Sequence, residues 1–208
     1  MGKAFNSMEN ETMTTRTSEH VISEQRAVSD FDRVILSGIG HLIIEQGDEE
    51  SLIVKADEDV LPMIKTVVRD GELRIGLEHW FVFMPFREIR YHLKVKNLTA
   101  IMLGGAGAIN ASRLQGEAIS VDITGAGSIT LSGTIATQTV AITGVGSYHG
   151  AGLEGQAASV RCSGAGSATV NVSDTLDVRI TGAGSVEYIG SPRVRKWITG
   201  VGSLHGRK

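Results

Sequence analysis

A short phrase, Gly-x-Gly followed by a small residue, returns six times in the second half of the chain. Its glycines are Gly105 and Gly107, Gly125 and Gly127, Gly144 and Gly146, Gly164 and Gly166, Gly182 and Gly184, and Gly200 and Gly202. The first glycines follow one another at steps of 20, 19, 20, 18 and 18 residues. An extended chain advances about 3.3 Å per residue, so each step supplies roughly 60 Å of path. This length suits one coil of a solenoid and is too short for a globular subunit.

Apolar residues alternate with polar or small ones just before each glycine pair. The matching positions hold Val121 and Ile123, Val140 and Ile142, Val160 and Cys162, and Val178 and Ile180. Alternation with a period of two indicates a β-strand with one buried face. The glycine pair fits a sharp corner, where the backbone needs positive φ or approaches the next coil closely. The sequence therefore predicts an all-β parallel β-helix, a β-solenoid with coils of 18–20 residues, and the crossover rule predicts right-handed coiling.

The repeat also predicts the domain organisation. Residues 1–28 are polar and without period, which is typical of a flexible tail. The segment Gly38-Ile39-Gly40 carries the corner once more, and it predicts a first coil near the start of the ordered chain. We expect a single β-solenoid domain over residues 29–208, composed of a first coil at 29–56, an insertion at 57–96 and six regular coils at 97–208.

The insertion contains two features of its own. Asp70-Gly71 lies between two apolar runs and predicts a β-hairpin. An aromatic cluster follows at Trp80, Phe81, Phe83 and Phe86. The cluster is interpreted either as a loop that covers the apolar cross-section of the solenoid or as a contact patch for another subunit or a hydrophobic partner. The second interpretation makes a homo-oligomer one possible state of the protein.

Charge and hydropathy exclude several kinds of partner. The formal net charge is −3, and no long basic run is present, so neither nucleic acid nor an anionic membrane is indicated as a partner. No apolar run reaches the length of about 20 residues that crosses a bilayer. The first thirty residues also lack the apolar segment of a signal peptide, which predicts a soluble chain that is not exported. The single cysteine, Cys162, occupies an inward position and is predicted to be a buried small apolar residue.

The residues predict no catalytic, cofactor or metal site. A carbohydrate-active β-helix enzyme needs clustered carboxylates on one face, yet Asp122 aligns with Ala141, Arg161 and Arg179 when the coils are superimposed. The corners end in Ser or Ala where calcium-binding repeats have Asp, and they lack the Lys of a phosphate-binding loop. The six histidines show no zinc-site spacing. An enzyme stays the alternative to a binding module, and a scaffold that assembles through the aromatic cluster is a further alternative.

Arg161 and Arg179 stand out among the surface positions. The alignment of the coils places them next to each other on an outward face. An anionic glycan could contact both arginines. The competing interpretation is a solvated face with weak charge pairing.

Several segments in the same order resemble one known bacterial family. They are the opening FDRVILSGIG, the QGD turn at residues 46–48, the segment at 57–61, the Asp70-Gly71 hairpin and the repeated TGAGS phrase. Together they resemble the family described as "putative autotransporter adhesin, head GIN domain" over about residues 29–206. The resemblance implies a β-solenoid in a cell-envelope or secreted protein that adheres to a surface protein or glycan. It carries no catalytic residues, and its exported location contrasts with the missing leader segment.

Overall fold

The computed structural model describes residues 21–77 and 88–207 of the chain. These residues form strands with one short 3-10 turn at Leu61–Met63 and no α-helix. The strands are β1 (Val21–Arg26), β2 (Arg33–Leu36), β3 (Ile39–Gln46), β4 (Ser51–Asp57), β5 (Ile64–Arg69), β6 (Glu72–Leu77), β7 (Arg90–Val95), β8 (Ala100–Leu103), β9 (Ala106–Ile123), β10 (Ala126–Ile142), β11 (Val145–Cys162), β12 (Ala165–Ile180), β13 (Ala183–Ile189), β14 (Arg193–Ile198) and β15 (Val201–Arg207). The predicted all-β architecture is confirmed.

The strands form two stacks that meet at the glycine corners, and the pairing within them is parallel except at the N-terminal end. Stack 1 follows each corner and has the order β1-β4-β7-β3-β9-β10-β11-β12-β13-β15. Stack 2 precedes each corner and has the order β5-β6-β2-β8, continued by the last residues of β9, β10, β11 and β12 and then by β14. Each of the long strands β9 to β12 therefore contributes to both stacks. The parallel pairing confirms the predicted β-solenoid, while its right-handed coiling stays a prediction.

Equivalent residues of successive coils lie directly over one another. Val140 pairs with Val121 on one side and with Val160 on the other, and Ile142 pairs with Ile123 and Cys162 in the same way. All of these side chains are buried. Cys162 is among them, as predicted, and burial raises the pKa of its thiol. Because each coil adds the same apolar residues at the same positions, the interior is one continuous column of aliphatic side chains.

Close approach between coils explains the paired glycines at the corners. The amide of Val145 donates to the carbonyl oxygen of Gly125 at 3.0 Å. A Cβ on Gly144 would lie 2.1 Å from that same oxygen, and one on Gly125 would lie 2.0 Å from the carbonyl oxygen of Gly105. Positive φ is the minor cause, since among the corner glycines only Gly40 and Gly127 have it. Glycine is therefore required here because the carbonyl of the neighbouring coil occupies the place of a side chain.

The N-terminal end of the solenoid is built differently from the sequence prediction. Strand β6 pairs in parallel with β2, and β7 pairs in parallel with β3. These two strands of the predicted insertion thus form a further coil, stacked on the outer side of the first coil. The chain then returns, and β8 and β9 stack on the opposite side of β2 and β3. The order of the strands in the sheet therefore differs from their order along the chain. This is possible because both edges of a strand offer backbone N–H and C=O groups for pairing.

Antiparallel strands close this end of the solenoid. The predicted hairpin is present as β5 and β6, joined by Asp70 and Gly71 with φ of 51° and 74°. Strand β4 pairs antiparallel with β7, and β1 pairs antiparallel with β4. Residues 21–26 are therefore ordered, whereas the prediction extended the flexible tail through residue 28. The sequence of β1 carries little alternation because most of its side chains are exposed and its backbone makes the contact with β4.

The C-terminal end is uncovered in the part of the chain that the structure describes. Within that part, β14 pairs with β12 alone and β15 pairs with β13 alone. Lys196 occupies the column of Val178, so a charged residue ends the apolar column. Trp197 and Val201 of this last coil are exposed. A charged residue at this edge disfavours the addition of further strands.

Two buried tyrosines predict a loss of stability in alkaline solution. Burial raises the pKa values of Tyr91 and Tyr148 above the ordinary value for tyrosine. Because the folded state disfavours the phenolate, the stabilisation is complete below about pH 10 and is lost as the pH rises above it. Each tyrosine lowers the free energy of unfolding by about 1.4 kcal/mol per pH unit in that range.

Urea unfolding of the wild type and a Tyr148→Phe variant between neutral and strongly alkaline pH tests this prediction. The variant is expected to show about half of the tyrosine-dependent slope, since Tyr91 remains. The difference between the two slopes isolates the contribution of Tyr148. Identical slopes would show that Tyr148 ionises freely in the folded protein.

Candidate functional site

The outer face of stack 2 changes from small and polar residues to basic ones toward the C-terminal end. Side chains that alternate with the buried valines point outward and form two columns along the solenoid. One column holds Ser120, Thr139, Ser159, Asp177 and Arg195, and the other holds Asp122, Ala141, Arg161, Arg179 and Trp197. From β9 to β14, only the last three coils carry basic residues in these columns. Near the N-terminal end, Arg33 of β2 and Arg74 of β6 occupy the same two columns. We call Arg161, Arg179, Arg195 and Trp197 the basic patch.

A shallow groove lies between the two columns at the basic patch. Ser159, Asp177 and Arg195 line one side, and Arg161, Arg179 and Trp197 line the other. Outward residues two positions apart on a strand are separated by about 6.6 Å, and adjacent strands are about 4.8 Å apart. The groove therefore runs along the solenoid axis and crosses three coils.

Arg179 and Trp197 are stacked within the patch. The guanidinium carbon of Arg179 lies 4.0 Å from the centre of the Trp197 ring, a cation–π contact. The ring is 53% exposed, so the contact contributes about 0.5–1 kcal/mol. A guanidinium carries five N–H donors, and those that the indole leaves accessible can donate to a ligand.

The arginines of the patch differ from several exposed arginines elsewhere on the solenoid, which pair with an acidic residue. Arg74 lies 2.5 Å from Glu72, Arg90 lies 2.6 Å from Glu88, and the same distance joins Arg113 and Glu45. Among the described residues, no ion pair within 4.0 Å involves an arginine of the patch. Among the described residues that line the groove, Asp177 is the one that is acidic. The patch therefore carries an excess of positive charge on a chain with a net charge of −3.

The structure brings together the two arginines that the sequence singled out. Arg161 pairs directly with Arg179 in adjacent parallel strands, and both are exposed. The sequence alone did not identify Trp197 and Arg195 as site residues. They lie 18 residues after Arg179 and Asp177, which is the length of one coil. Their signal was obscured because Lys196 interrupts the apolar alternation in the last coil. A role for the two arginines in contacting a partner stays a prediction.

The predicted aromatic contact residues cannot be placed. Trp80, Phe81, Phe83 and Phe86 lie outside the described residues. Assembly of several copies through this cluster stays a prediction, and so does its alternative role as a cover for the solenoid.

The described strands hold no cluster suited to acid–base or metal chemistry. Asp122 pairs with Ala141 and Met102, and Asp177 pairs with Ser159 and Arg195. Wherever the described strands pair, no acidic residue faces another acidic residue. Asp174, in β12, accepts a hydrogen bond from the hydroxyl of its neighbour Ser173 at 2.7 Å. Residues 21–77 and 88–207 contain no group of three or more His, Cys, Asp or Glu side chains placed to hold a metal ion.

Residues 21–77 and 88–207 also contain no helix with the length and the hydropathy that crossing a bilayer requires.

Several solved structures have a fold similar to that of this chain. A protein from Bacteroides fragilis described as a putative adhesin is 19% identical, with a TM-score of 0.74, covering 91% of this chain and 98% of that one. A putative adhesin from Parabacteroides merdae is 20% identical, with a TM-score of 0.51, covering 92% and 98%. A protein from Parabacteroides distasonis described as a putative lipid binding protein has the same TM-score of 0.51 at 19% identity, covering 92% and 98%. These similarities show a shared fold.

A sequence comparison with curated proteins finds no match. The family model described as "Putative auto-transporter adhesin, head GIN domain" matches residues 30–192. The match covers most of the chain and includes β2 to β13, while β1 precedes it. The parallel β-solenoid, the stacked glycine corners and this match agree, and the chain belongs to that adhesin family.

Proposed function

We propose that this protein is a non-enzymatic adhesion module that attaches to an anionic partner surface through the basic patch. The observation that carries the proposal is the cluster of exposed arginines without acidic partners, arranged around Trp197 on the outer face of the last three coils. Membership of the adhesin family supports a binding role. A rigid solenoid also suits such a role, since it holds the side chains at fixed spacing without any moving part.

Electrostatics explains how the patch would act on a surface. Clustered positive charge attracts a negatively charged surface and accelerates encounter, more strongly at low salt. The exposed arginines can then form charge-assisted hydrogen bonds with oxyanions, which are stronger than bonds between neutral groups. No covalent chemistry is required of the protein.

A charge-reversal variant tests the proposal. We expect the wild-type protein to bind beads coated with dextran sulfate and not beads coated with neutral dextran, which has the same backbone. The double variant Arg161→Glu and Arg179→Glu should bind dextran sulfate at least about tenfold more weakly, because two attractive contacts become repulsive. Binding is measured as the fraction of protein retained on the beads at fixed ionic strength.

The matched control is the double variant Lys55→Glu and Arg69→Glu. It makes the same change in net charge at exposed positions near the other end of the solenoid. Retention close to that of the wild type is expected, since the patch is intact. An equal loss in both double variants would show that net charge alone governs binding, and it would overturn the proposal. Release of new reducing ends from the polysaccharide would contradict the non-enzymatic role.

A further inference from the structure

We propose that the groove of the basic patch binds a linear polyuronate chain, laid along the solenoid axis with about one carboxylate per coil. The inference rests on the proposed adhesion function and names the class of ligand. Geometry, charge spacing and the single acidic residue of the groove each support it.

The geometry of the groove selects an extended chain. Its walls are columns of side chains that repeat from coil to coil, about 4.8 Å apart. Within the described residues no strand pairs with the outer edge of β14, so the groove is open at the last coil. An extended chain of linked sugars advances by a similar length per sugar ring. Successive sugars can therefore meet successive coils in equivalent positions.

The spacing of the charges fits a polyanion with about one charge per sugar better than it fits double-stranded DNA. The groove is lined by one arginine per coil, by Lys196 in the last coil and by Asp177, which leaves a net of about one positive charge every 4.8 Å along the axis. Double-stranded DNA carries one negative charge per about 1.7 Å, which the patch cannot neutralise. A polyuronate carries one carboxylate per sugar, and this density matches the density of arginines in the groove.

Asp177 favours a sugar over an acidic peptide. Its carboxylate lines the groove between Ser159 and Arg195, directly opposite Arg179 on the other wall. A carboxylate in this place repels a ligand that presents only negative groups. It can accept hydrogen bonds from hydroxyl groups, and Ser159 can donate and accept them. A ligand that alternates carboxylates with hydroxyls satisfies both kinds of residue.

Trp197 acts as a positioning residue for Arg179. Stacking on the indole restricts the long arginine side chain before a ligand arrives, which lowers the entropy cost of binding. The N–H edge of the guanidinium then matches a planar carboxylate in a bidentate contact.

Oligomannuronates of increasing length provide the first test, measured by isothermal titration calorimetry. The neutral control is the β-1,4-linked mannose series of the same lengths. We expect affinity to rise from the disaccharide to about the tetrasaccharide and then to level off, because the groove spans roughly 10 Å between its outer coils. Equal binding of the neutral series, or equal affinity for the disaccharide and the octasaccharide, would overturn the inference.

Substitutions within the groove provide the second test. Asp177→Asn should weaken binding of the tetramannuronate about fivefold and strengthen binding of polyglutamate, since it removes a repulsive charge. If both ligands bind the variant more tightly, Asp177 does not contact sugar hydroxyls and the inference fails. Trp197→Ala should weaken tetramannuronate binding about fivefold, and Trp197→Phe should retain most of it because a cation–π contact remains possible.

A spectroscopic readout separates positioning from a structural role. In a Trp80→Phe background, Trp197 is the only tryptophan. Its fluorescence should change on addition of tetramannuronate and stay constant with tetramannose.

The two proposals can fail separately. If the wild-type protein binds dextran sulfate through the patch but does not bind oligomannuronates, only the polyuronate ligand is refuted. Binding to dextran sulfate that does not depend on the patch would refute the adhesion proposal itself.

Discussion

Replacing Gly144 by alanine is expected to lower the free energy of unfolding by about 3 kcal/mol or more. The new Cβ would lie 2.1 Å from the carbonyl oxygen of Gly125 and 2.6 Å from that of Thr124. Both contacts are backbone atoms of the neighbouring coil, and the amide of Val145 is hydrogen-bonded to one of them. Relief of the clash requires separating two coils at a corner, which breaks hydrogen bonds as well as packing. Overpacking of well-packed interiors costs about 1–3 kcal/mol and occasionally more.

Gly47→Ala is the matched control for this prediction. No atom lies within 4 Å of a Cβ built at this position, and its φ is not positive. The change in stability is expected to lie within about 0.5 kcal/mol, because alanine restricts the unfolded chain without a clash in the folded one. Urea unfolding followed by circular dichroism measures both variants. Equal stability of the two variants would show that the corners adapt to a side chain, and that close approach is not the reason for glycine.

Replacing Gln138 by leucine is expected to lower the free energy of unfolding by about 3 kcal/mol. Gln138 is a fully buried polar residue in a column of aliphatic side chains. Its Nε2 donates to the carbonyl oxygen of Leu153 at 3.0 Å, and its Oε1 accepts from the Tyr148 hydroxyl at 3.0 Å. Leucine leaves both partners buried without a hydrogen bond. Each such group costs about 1–3 kcal/mol.

A double-mutant cycle with Tyr148→Phe shows whether these groups act as a unit. Adding Tyr148→Phe to Gln138→Leu should recover about 1 kcal/mol, because it removes the hydroxyl that leucine left without a partner. Gln25→Leu, at an exposed position of β1, should change stability by no more than about 0.5 kcal/mol. Additive effects of the two substitutions would mean that Tyr148 and Gln138 do not depend on each other.

The regular coils could be predicted well from the sequence. Their residues repeat, so the same apolar side chains recur at each step and only one register buries all of them together. The columns of Val140 and Ile142 follow directly from this alternation. The same reasoning placed Arg161 beside Arg179, because a column position is defined by its distance from the glycine corner. It stopped short of Trp197, where the last coil departs from the apolar pattern.

The two ends of the solenoid could not be predicted in this way. Strand β1 presents mostly exposed side chains, so its place beside β4 depends on backbone hydrogen bonds, which leave no mark on residue type. The stacking of β6 and β7 on the outer side of the first coil is likewise a choice between two equivalent strand edges.

The sequence by itself determined the solenoid, the glycine corners and the aliphatic columns, because those features depend on local alternation and on a repeat of fixed length. The tertiary structure alone decided which strands cover the first coil and what surrounds the two arginines. Long-range pairing brings Trp197 over Arg179 and places Asp177 across the groove from it. The physical reason is that backbone edges pair without regard to side chains, whereas a buried column requires particular side chains at particular positions.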